Sequence, residues 1–106
     1  MYSNLPIIQF DKEFQEILLQ NEFTLDCDKD ERTTYKKDNI YVTLFWDGNT
    51  LQADGDMKYT VSMDIHYIPK AGIGSKELYK GYRPANREDV KNIFDNAGYS
   101  ELINRI

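Results

Sequence analysis

The segment Met57–Ile68, with the sequence MKYTVSMDIHYI, alternates between two chemically different sets of side chains. Its apolar and aromatic side chains are Met57, Tyr59, Val61, Met63, Ile65 and Tyr67, and polar residues stand between them. Because successive side chains of a strand point to opposite faces, the segment predicts one long strand with a buried and an exposed face. Such strands are typical of antiparallel sheets covered on one side. At about 3.3 Å per residue it would reach roughly 40 Å, so we expect a bulge, a bend or an overhanging end.

The composition indicates one globular domain over residues 1–106, with 41% hydrophobic and 29% charged residues. The eight tyrosines suit strands, and they suit binding surfaces where a ring is half-buried and its hydroxyl stays in water. Cys27 is the only cysteine, which excludes an internal disulfide and gives no reason for an oxidising compartment. No leader sequence and no apolar run of about 20 residues is present, so we expect a soluble, cytoplasmic protein.

The net charge of −5 is unevenly distributed. Residues 70–91 contain six basic and three acidic residues, which leaves seven basic and fifteen acidic residues in the rest of the chain. The acidic side chains outside that segment include Asp26, Asp28, Asp30, Glu31, Asp47, Asp54 and Asp56. An acidic surface of this kind attracts basic molecules over long distances. We therefore expect a basic partner.

Hydrophobic spacing and capping residues predict the remaining elements. A first helix is expected near 12–21, with Asp11 as its N-cap, and a last helix is expected to follow the N-cap Asn86 and to end before Gly98. Alternation predicts strands at 23–27, 32–37 and 40–46 before the long strand, and it places Cys27 on the buried side. Residues 69–85 read as a long connection, with a short strand at 77–80 as an option.

The pair Asp38-Asn39 predicts a two-residue hairpin loop, since both residue types tolerate a positive φ. In that hairpin Lys37 opposes Ile40, and Tyr35 opposes Val42. The resulting register places the apolar side chains of both strands on one face, so turn chemistry and hydrophobic pattern agree. These elements predict an α+β fold: a two-layer sandwich in which two helices cover one face of a four-stranded antiparallel meander, in the order αββββα.

The uncovered face of the predicted sheet is the first candidate site. Its expected members are Tyr41, Thr43, Phe45, Thr60, Ser62, Asp64 and His66. Aromatic rings beside polar groups suit a protein partner, and a homodimer on this face is an alternative. Asp64 and His66 stand two positions apart on one strand, so they can form a pair. Because the sequence marks no nucleophile and has no second histidine, we expect no catalysis here.

A basic and aromatic stretch near the last helix is the second candidate site. Its expected members are Lys76, Tyr79, Lys80, Tyr82, Arg83 and Arg87. Such side chains hold phosphates and stack on bases, so nucleic-acid or small-ligand binding is the alternative function. The order of elements is similar to that of double-stranded RNA-binding domains. However, Asn86-Arg87-Glu88-Asp89 stands where those domains carry lysines, and the whole chain is acidic, which makes nucleic acid the less favoured partner.

Two further patterns resemble ligand-binding loops only in part. Asp26, Asp28 and Asp30 resemble the start of an EF-hand loop, but Glu31 stands where glycine is needed and Lys37 where a bidentate glutamate is needed. The aspartates at 47, 54 and 56 belong to a loop with Asp-Gly turns, and the segment at 72–76 lacks the spacing of a phosphate-binding loop. We therefore predict neither a metal nor a cofactor.

Together these patterns predict a small non-catalytic domain that binds another protein inside the cell. Small acidic inhibitors of basic proteins, such as immunity proteins, antitoxins and phage-borne inhibitors, have a comparable composition. This similarity is one of charge and size, without a shared motif.

Overall fold

The computed structural model of this chain describes residues 6–29, 32–45, 49–51, 57–59 and 62–105. Its helices are α1 (Pro6–Gln20) and α2 (Arg87–Asn96), followed by a 3₁₀ turn at Ser100–Leu102. Its strands are β1 (Thr24–Lys29), β2 (Arg32–Lys37), β3 (Ile40–Phe45), β4 (Asn49–Leu51), β5 (Met57–Tyr59), β6 (Ser62–Tyr67) and β7 (Lys76–Tyr82). Neither described helix has the length and apolar character that a membrane crossing requires.

The main sheet is antiparallel and has the strand order β1-β2-β3-β6-β7, which confirms the predicted α+β class. The sheet has five strands where the sequence predicts four. The additional strand is β7, a longer version of the short strand expected at 77–80, and it pairs along β6. The prediction of a long connection over 69–85 is therefore wrong at 76–82, where the chain forms β7.

The segment Met57–Ile68 forms two strands instead of one. β5 pairs with β4 in a separate two-stranded sheet, whereas β6 pairs with β3 and β7 in the main sheet. The segment changes strand partners along its length, a change that its alternation does not encode. Within β6 the predicted parity is confirmed, because Met63 and Ile65 are buried while the polar residues between them are half-exposed.

The hairpin between β2 and β3 has the predicted register. Lys37 pairs with Ile40, and Tyr35 pairs with Val42. Asp38 has a φ of 54°, the left-handed conformation that the short loop requires. This confirms that Tyr35 and Val42 share the covered face of the sheet with the other buried strand residues.

The core lies between the two helices and one face of the main sheet. It contains Phe14, Ile17 and Leu18 of α1, and Val90 and Phe94 of α2. From the sheet it contains Tyr35, Ile40, Val42, Leu44, Met63 and Ile65. Both helices therefore cover the same face, as the two-layer prediction requires. We call this the inner face of the sheet and the opposite side the outer face.

Helix α1 begins earlier than predicted. It starts at Pro6, which suits a first helical turn because proline lacks the N–H that would have no partner there. Asp11 is consequently an interior residue of α1, and the prediction that it is the N-cap is wrong. Its side chain is buried beneath the sheet edge instead of closing a helix end.

Helix α2 has the predicted cap. The Asn86 side chain accepts a hydrogen bond from the Asp89 backbone N–H at 2.8 Å, and the Asp89 carboxylate accepts one from the Ala85 N–H at 3.0 Å. Gly98, just beyond the helix, has a φ of 84°, a conformation that favours glycine.

Strand β1 contains an irregularity that changes the orientation of Cys27. The register with β2 shifts between Leu25 and Cys27, so that Leu25 opposes Tyr35 whereas Cys27 opposes Thr34. A β-bulge inserts one residue and moves the following side chains to the other face. Cys27 thus lies on the outer face, half-exposed, and its predicted inward orientation is wrong.

Candidate functional site

The outer face of the main sheet presents one row of side chains from each strand. Its described members are Thr24, Cys27, Lys29, Arg32, Thr34, Lys36, Tyr41, Thr43, Phe45, Ser62, Asp64, His66, Glu77, Lys80 and Tyr82. The described helices both pack on the inner face, so they do not cover this surface. The outer face therefore presents polar and aromatic side chains from all five strands of the main sheet.

The predicted members of this face lie side by side. Tyr41 pairs with His66, and Thr43 pairs with Asp64, across β3 and β6. Phe45 continues the same parity at the end of β3, and Ser62 does so at the start of β6. The prediction for Thr60 lies outside the described residues. The structure thus brings the described members of the predicted surface together on one face.

An aspartate, a histidine and a glutamate form a cluster at one side of the face. His66 Nδ1 lies 3.2 Å from Asp64 Oδ1, and His66 Nε2 lies 3.9 Å from Glu77 Oε1. Desolvation by burial raises the pKa of Asp64; His66 and Lys80 oppose this rise, and the charge of Glu77 adds to it. The imidazole therefore bridges two carboxylates, one nearly buried and one half-exposed.

The middle of the face is made of small hydroxyl side chains. Thr34 and Thr43 share a hydrogen bond of 3.1 Å between their Oγ1 atoms, and Thr34 is only 8% exposed. Next to them the Lys36 ammonium stands over the Tyr41 ring, 5.8 Å from its centroid, within the range of a cation–π contact. The centre of the face consequently carries two short hydroxyl side chains, with aromatic and charged side chains around them.

The charges of the outer face are divided between its two halves. Its described cations are Lys29, Arg32, Lys36 and Lys80. Three of them belong to β1 and β2, whereas the carboxylates of the described face, Asp64 and Glu77, belong to β6 and β7. The described part of this face carries more cations than carboxylates, although the chain as a whole has a net charge of −5. Most of the acidity thus lies elsewhere.

The residues of the predicted basic and aromatic site do not come together on one surface. Lys80 and Tyr82 point to the outer face, and Tyr82 is 72% exposed. Tyr79 opposes Ile65 of the inner face, packs against the core, and donates a 2.6 Å hydrogen bond to the Tyr82 carbonyl. Burial raises the pKa of the Tyr79 hydroxyl, and the charge of Asp89 adds to that rise.

The remaining members of that set are also separated. Lys76 is exposed and opposes Tyr67 at the start of β7. Arg87 is exposed on α2, and its Nε lies 3.3 Å from Glu13 Oε2 on α1. Both cations therefore lie apart from Lys80 and Tyr82. Arg87 belongs to α2, and Lys76 points to the opposite face of β7.

Arg83 is buried, which corrects its predicted place in the surface site. It is 3% exposed, and its Nη1 donates to Asp11 Oδ2 at 2.5 Å. It also donates to the backbone carbonyls of Phe45 and Ser62, and so joins the ends of β3 and β6 to α1. Burial raises the pKa of the Asp11 carboxyl, and the Arg83 guanidinium opposes that rise. Arg83 is thus a structural residue, withdrawn from solvent.

The described residues contain no group of three histidine, cysteine or carboxylate side chains arranged to hold a metal ion. Asp26 lies at the bulge of β1, and Asp28 accepts a hydrogen bond from the Thr33 hydroxyl at 3.0 Å. The predictions for Asp30, Glu31, Asp47, Asp54 and Asp56 fall outside the described residues. The acidic cluster that the sequence suggests is thus described only at its two β1 positions.

Sequence reasoning missed several members of the outer face. Lys29, Arg32, Lys36 and Glu77 were absent from both predicted sites. The predicted hairpin register already places Lys36 opposite Tyr41, so Lys36 could have been assigned to this face from the sequence. Lys29 could not be placed because the bulge in β1 is not visible in the alternation, and Glu77 required knowledge of β7.

No family model, no curated protein and no solved structure matches this chain. The function proposed below therefore rests on the geometry and charges of the outer face.

Proposed function

We propose that this protein is a small non-catalytic domain that binds another protein through the outer face of its sheet. One observation carries the proposal: a five-stranded sheet has both described helices on one side, and its other side presents Tyr41, Phe45 and Tyr82 around a pair of threonine hydroxyls. Tyrosine and phenylalanine rings supply large contact areas with few rotatable bonds, which suits them to protein interfaces.

The charges of the face support a partner that is basic over β6 and β7. There the carboxylates of Asp64 and Glu77 are available to cationic side chains, and the net charge of −5 steers basic molecules to the protein. The cations on β1 and β2 favour acidic groups on the other part of the same partner. An inhibitor of a basic cytoplasmic protein, of the immunity, antitoxin or phage-borne type, is the specific form of this proposal.

The absence of catalysis is part of the proposal, and strand spacing supports it. Asp64 and His66 form a pair, but Ser62 stands four positions before His66 on the same strand, which separates them by about 13 Å. A nucleophile must lie within hydrogen-bonding distance of its base. The alternative of nucleic-acid binding is weakened because Arg83 is buried and Tyr79 packs against the core.

A pull-down with matched variants tests the proposal. The tagged chain is incubated with native lysate at about 50 mM and about 300 mM salt, with nuclease-treated duplicates, since electrostatic steering weakens as salt screens the charges. Y41S/Y82S removes two rings from the outer face. The control L19S removes an exposed apolar side chain from α1, on the helix side.

The proposal predicts a protein partner that survives nuclease, is reduced at the higher salt, is retained by L19S and is lost with Y41S/Y82S. Equal recovery by wild type and Y41S/Y82S would place the binding surface elsewhere. Partners that disappear after nuclease treatment would favour the nucleic-acid alternative.

A further inference from the structure

The charged side chains of the outer face are arranged in register across the sheet. One row runs Lys36, Tyr41, His66 and Glu77 over β2, β3, β6 and β7, with a cation at one end and a carboxylate at the other. A parallel row runs from Arg32, opposite Phe45, to Tyr82, opposite Ser62, on β7, and Lys29 of β1 lies beside Arg32 outside the overlap. Each row therefore has unlike ends.

Such a row is complementary to its own reversed copy. Consider a second chain placed face to face, related by a two-fold axis that runs parallel to the strands and lies between β3 and β6. This rotation keeps each row on the same row and reverses its order. Lys36 then stands over the second copy's Glu77, and Tyr41 stands over the second copy's His66.

The same rotation places the other charged side chains of these rows opposite neutral groups. Arg32 stands over the second copy's Tyr82 ring, an arrangement suited to a cation–π contact. Asp64 stands over the second copy's Thr43, and Lys80 stands over its Thr34, between the two β2 cations. No two like charges stand directly opposite one another, and each favourable pair occurs twice because a two-fold interface uses the same patch on both chains.

We infer that a second copy of this chain is a partner of the outer face, in a two-fold dimer held by two Lys36–Glu77 pairs. The inference rests on the proposed function, because it uses the same face and names one protein that binds it. The second copy supplies the cation required over Glu77 of β7 and the carboxylate required over Lys36 of β2.

The size of the face sets the strength of this dimer. With the axis between β3 and β6, four strands of each chain overlap: β2, β3, β6 and β7. At about 4.8 Å between strands and six residues in length they cover about 19 by 20 Å, or about 400 Å² per chain. Both chains together bury about 800 Å², which is the size of a weak, transient interface. The dimer is therefore expected to dissociate in the micromolar range or above.

Charge reversal at the two paired positions gives a decisive experiment. Sedimentation of the full chain between about 5 and 500 μM should show wild type moving from monomer to dimer as concentration rises. In a K36E dimer a glutamate at position 36 of each chain faces Glu77 of the other chain. In an E77K dimer a lysine at position 77 faces Lys36 in the same way. Each variant alone should weaken dimerisation by about tenfold or more.

An equimolar mixture of K36E and E77K should restore the dimer. In the mixed pair each chain offers the charge that the other needs, so both contacts become favourable again. The mixture also serves as a folding control, because a misfolded variant would not recover binding. K91E reverses an exposed charge on α2, on the helix side, and should dimerise like wild type.

A monomeric wild type at every concentration would overturn the inference, as would a mixture no more dimeric than its components. Equal weakening by K91E would show a general charge effect and would overturn it as well. These results are separable from failure of the proposed function: a monomeric protein whose lysate partner is still lost with Y41S/Y82S keeps the proposed function and loses the dimer.

Discussion

Asp11 and Arg83 form a buried ion pair although they are 72 positions apart in the chain. Arg83 Nη1 lies 2.5 Å from Asp11 Oδ2, and the two side chains are 9% or less exposed. The second Asp11 oxygen, Oδ1, is buried without a hydrogen-bond partner in the described part of the chain. This ion pair joins the interior of α1 to the segment after β7, where Arg83 also donates to the backbone carbonyls of Phe45 and Ser62.

Breaking this pair from one side should be costly. R83M leaves the Asp11 carboxylate buried without its counter-charge, and we expect the free energy of unfolding to fall by about 3–5 kcal/mol. D11L/R83M removes both charges and should be less destabilising than the sum of D11L and R83M. Urea denaturation measures all four proteins of this double-mutant cycle.

The exposed pair between Arg87 and Glu13 provides the matched control for that cycle. R87M should change stability by about 0.5 kcal/mol or less, because exposed ion pairs contribute little. If the losses of D11L and R83M are additive within about 0.5 kcal/mol, the two residues do not stabilise the fold as a pair.

Asn21 holds the end of the chain against the end of α1. Its Oδ1 accepts from the backbone N–H groups of Asn104 and Arg105, each at 2.8 Å, and its Nδ2 donates to the carbonyls of Ile17 and Arg105. N21A removes four hydrogen bonds, of which one is buried and three are part-buried, so we expect a loss of about 1–3 kcal/mol in the free energy of unfolding.

Hydrogen exchange locates the effect of N21A. The amides of Asn104 and Arg105 should lose their protection in the variant, because they no longer donate to a side chain. N92A, at an exposed position of α2, should leave both stability and these amides unchanged. Retained protection at both amides in N21A would mean that other contacts hold the end of the chain.

Local patterns predicted the parts of the fold that local rules control. The Asp38-Asn39 loop set the register of β2 against β3, and the Asn86 cap set the start of α2, because both depend on residues within a few positions of one another. The alternation of β6 also predicts correctly which of its side chains are buried, because alternation depends only on neighbouring positions.

The failures concern contacts between distant segments. The sequence places Arg83 in a surface site because it belongs to a run of basic residues interleaved with tyrosines, whereas its actual position depends on a buried partner in α1. The sequence indicates only a short strand at 77–80 where β7 spans Lys76–Tyr82, because its residues are too polar to reveal a buried face. The bulge before Cys27 leaves the alternation of β1 intact while reversing its orientation.

The Asn86 cap permits a prediction about helix α2. N86A removes the acceptor of the Asp89 N–H, and such losses cost about 1 kcal/mol of stability. N86D should retain most of the stability, since aspartate is an equally good cap. Thermal denaturation of the two variants measures the difference, and equal melting temperatures would show that the side-chain cap contributes little to α2.

The pKa of Asp64 should respond in opposite directions to two changes on the outer face. Burial raises this pKa above 3.8, a protonated His66 beside the carboxylate lowers it, and the charge of Glu77 raises it. H66A should therefore increase the pKa of Asp64, and E77Q should decrease it. Carboxyl-carbon NMR titration at concentrations that keep the protein monomeric measures both shifts. Movement of both variants in the same direction would contradict the assigned roles of His66 and Glu77.

The same raised pKa predicts a dependence of stability on pH. Between 3.8 and the higher pKa of the folded state, the folded protein binds more protons at Asp64 than the unfolded chain does. The contribution of Asp64 is therefore greatest below 3.8, and it is lost as the pH rises through the folded-state pKa. D64N, which cannot titrate, should lack this fall, so the stability difference between D64N and wild type should grow in favour of D64N as the pH rises through that window. Urea denaturation at a series of pH values measures it, and a difference that stays constant would mean that Asp64 has the same pKa in both states.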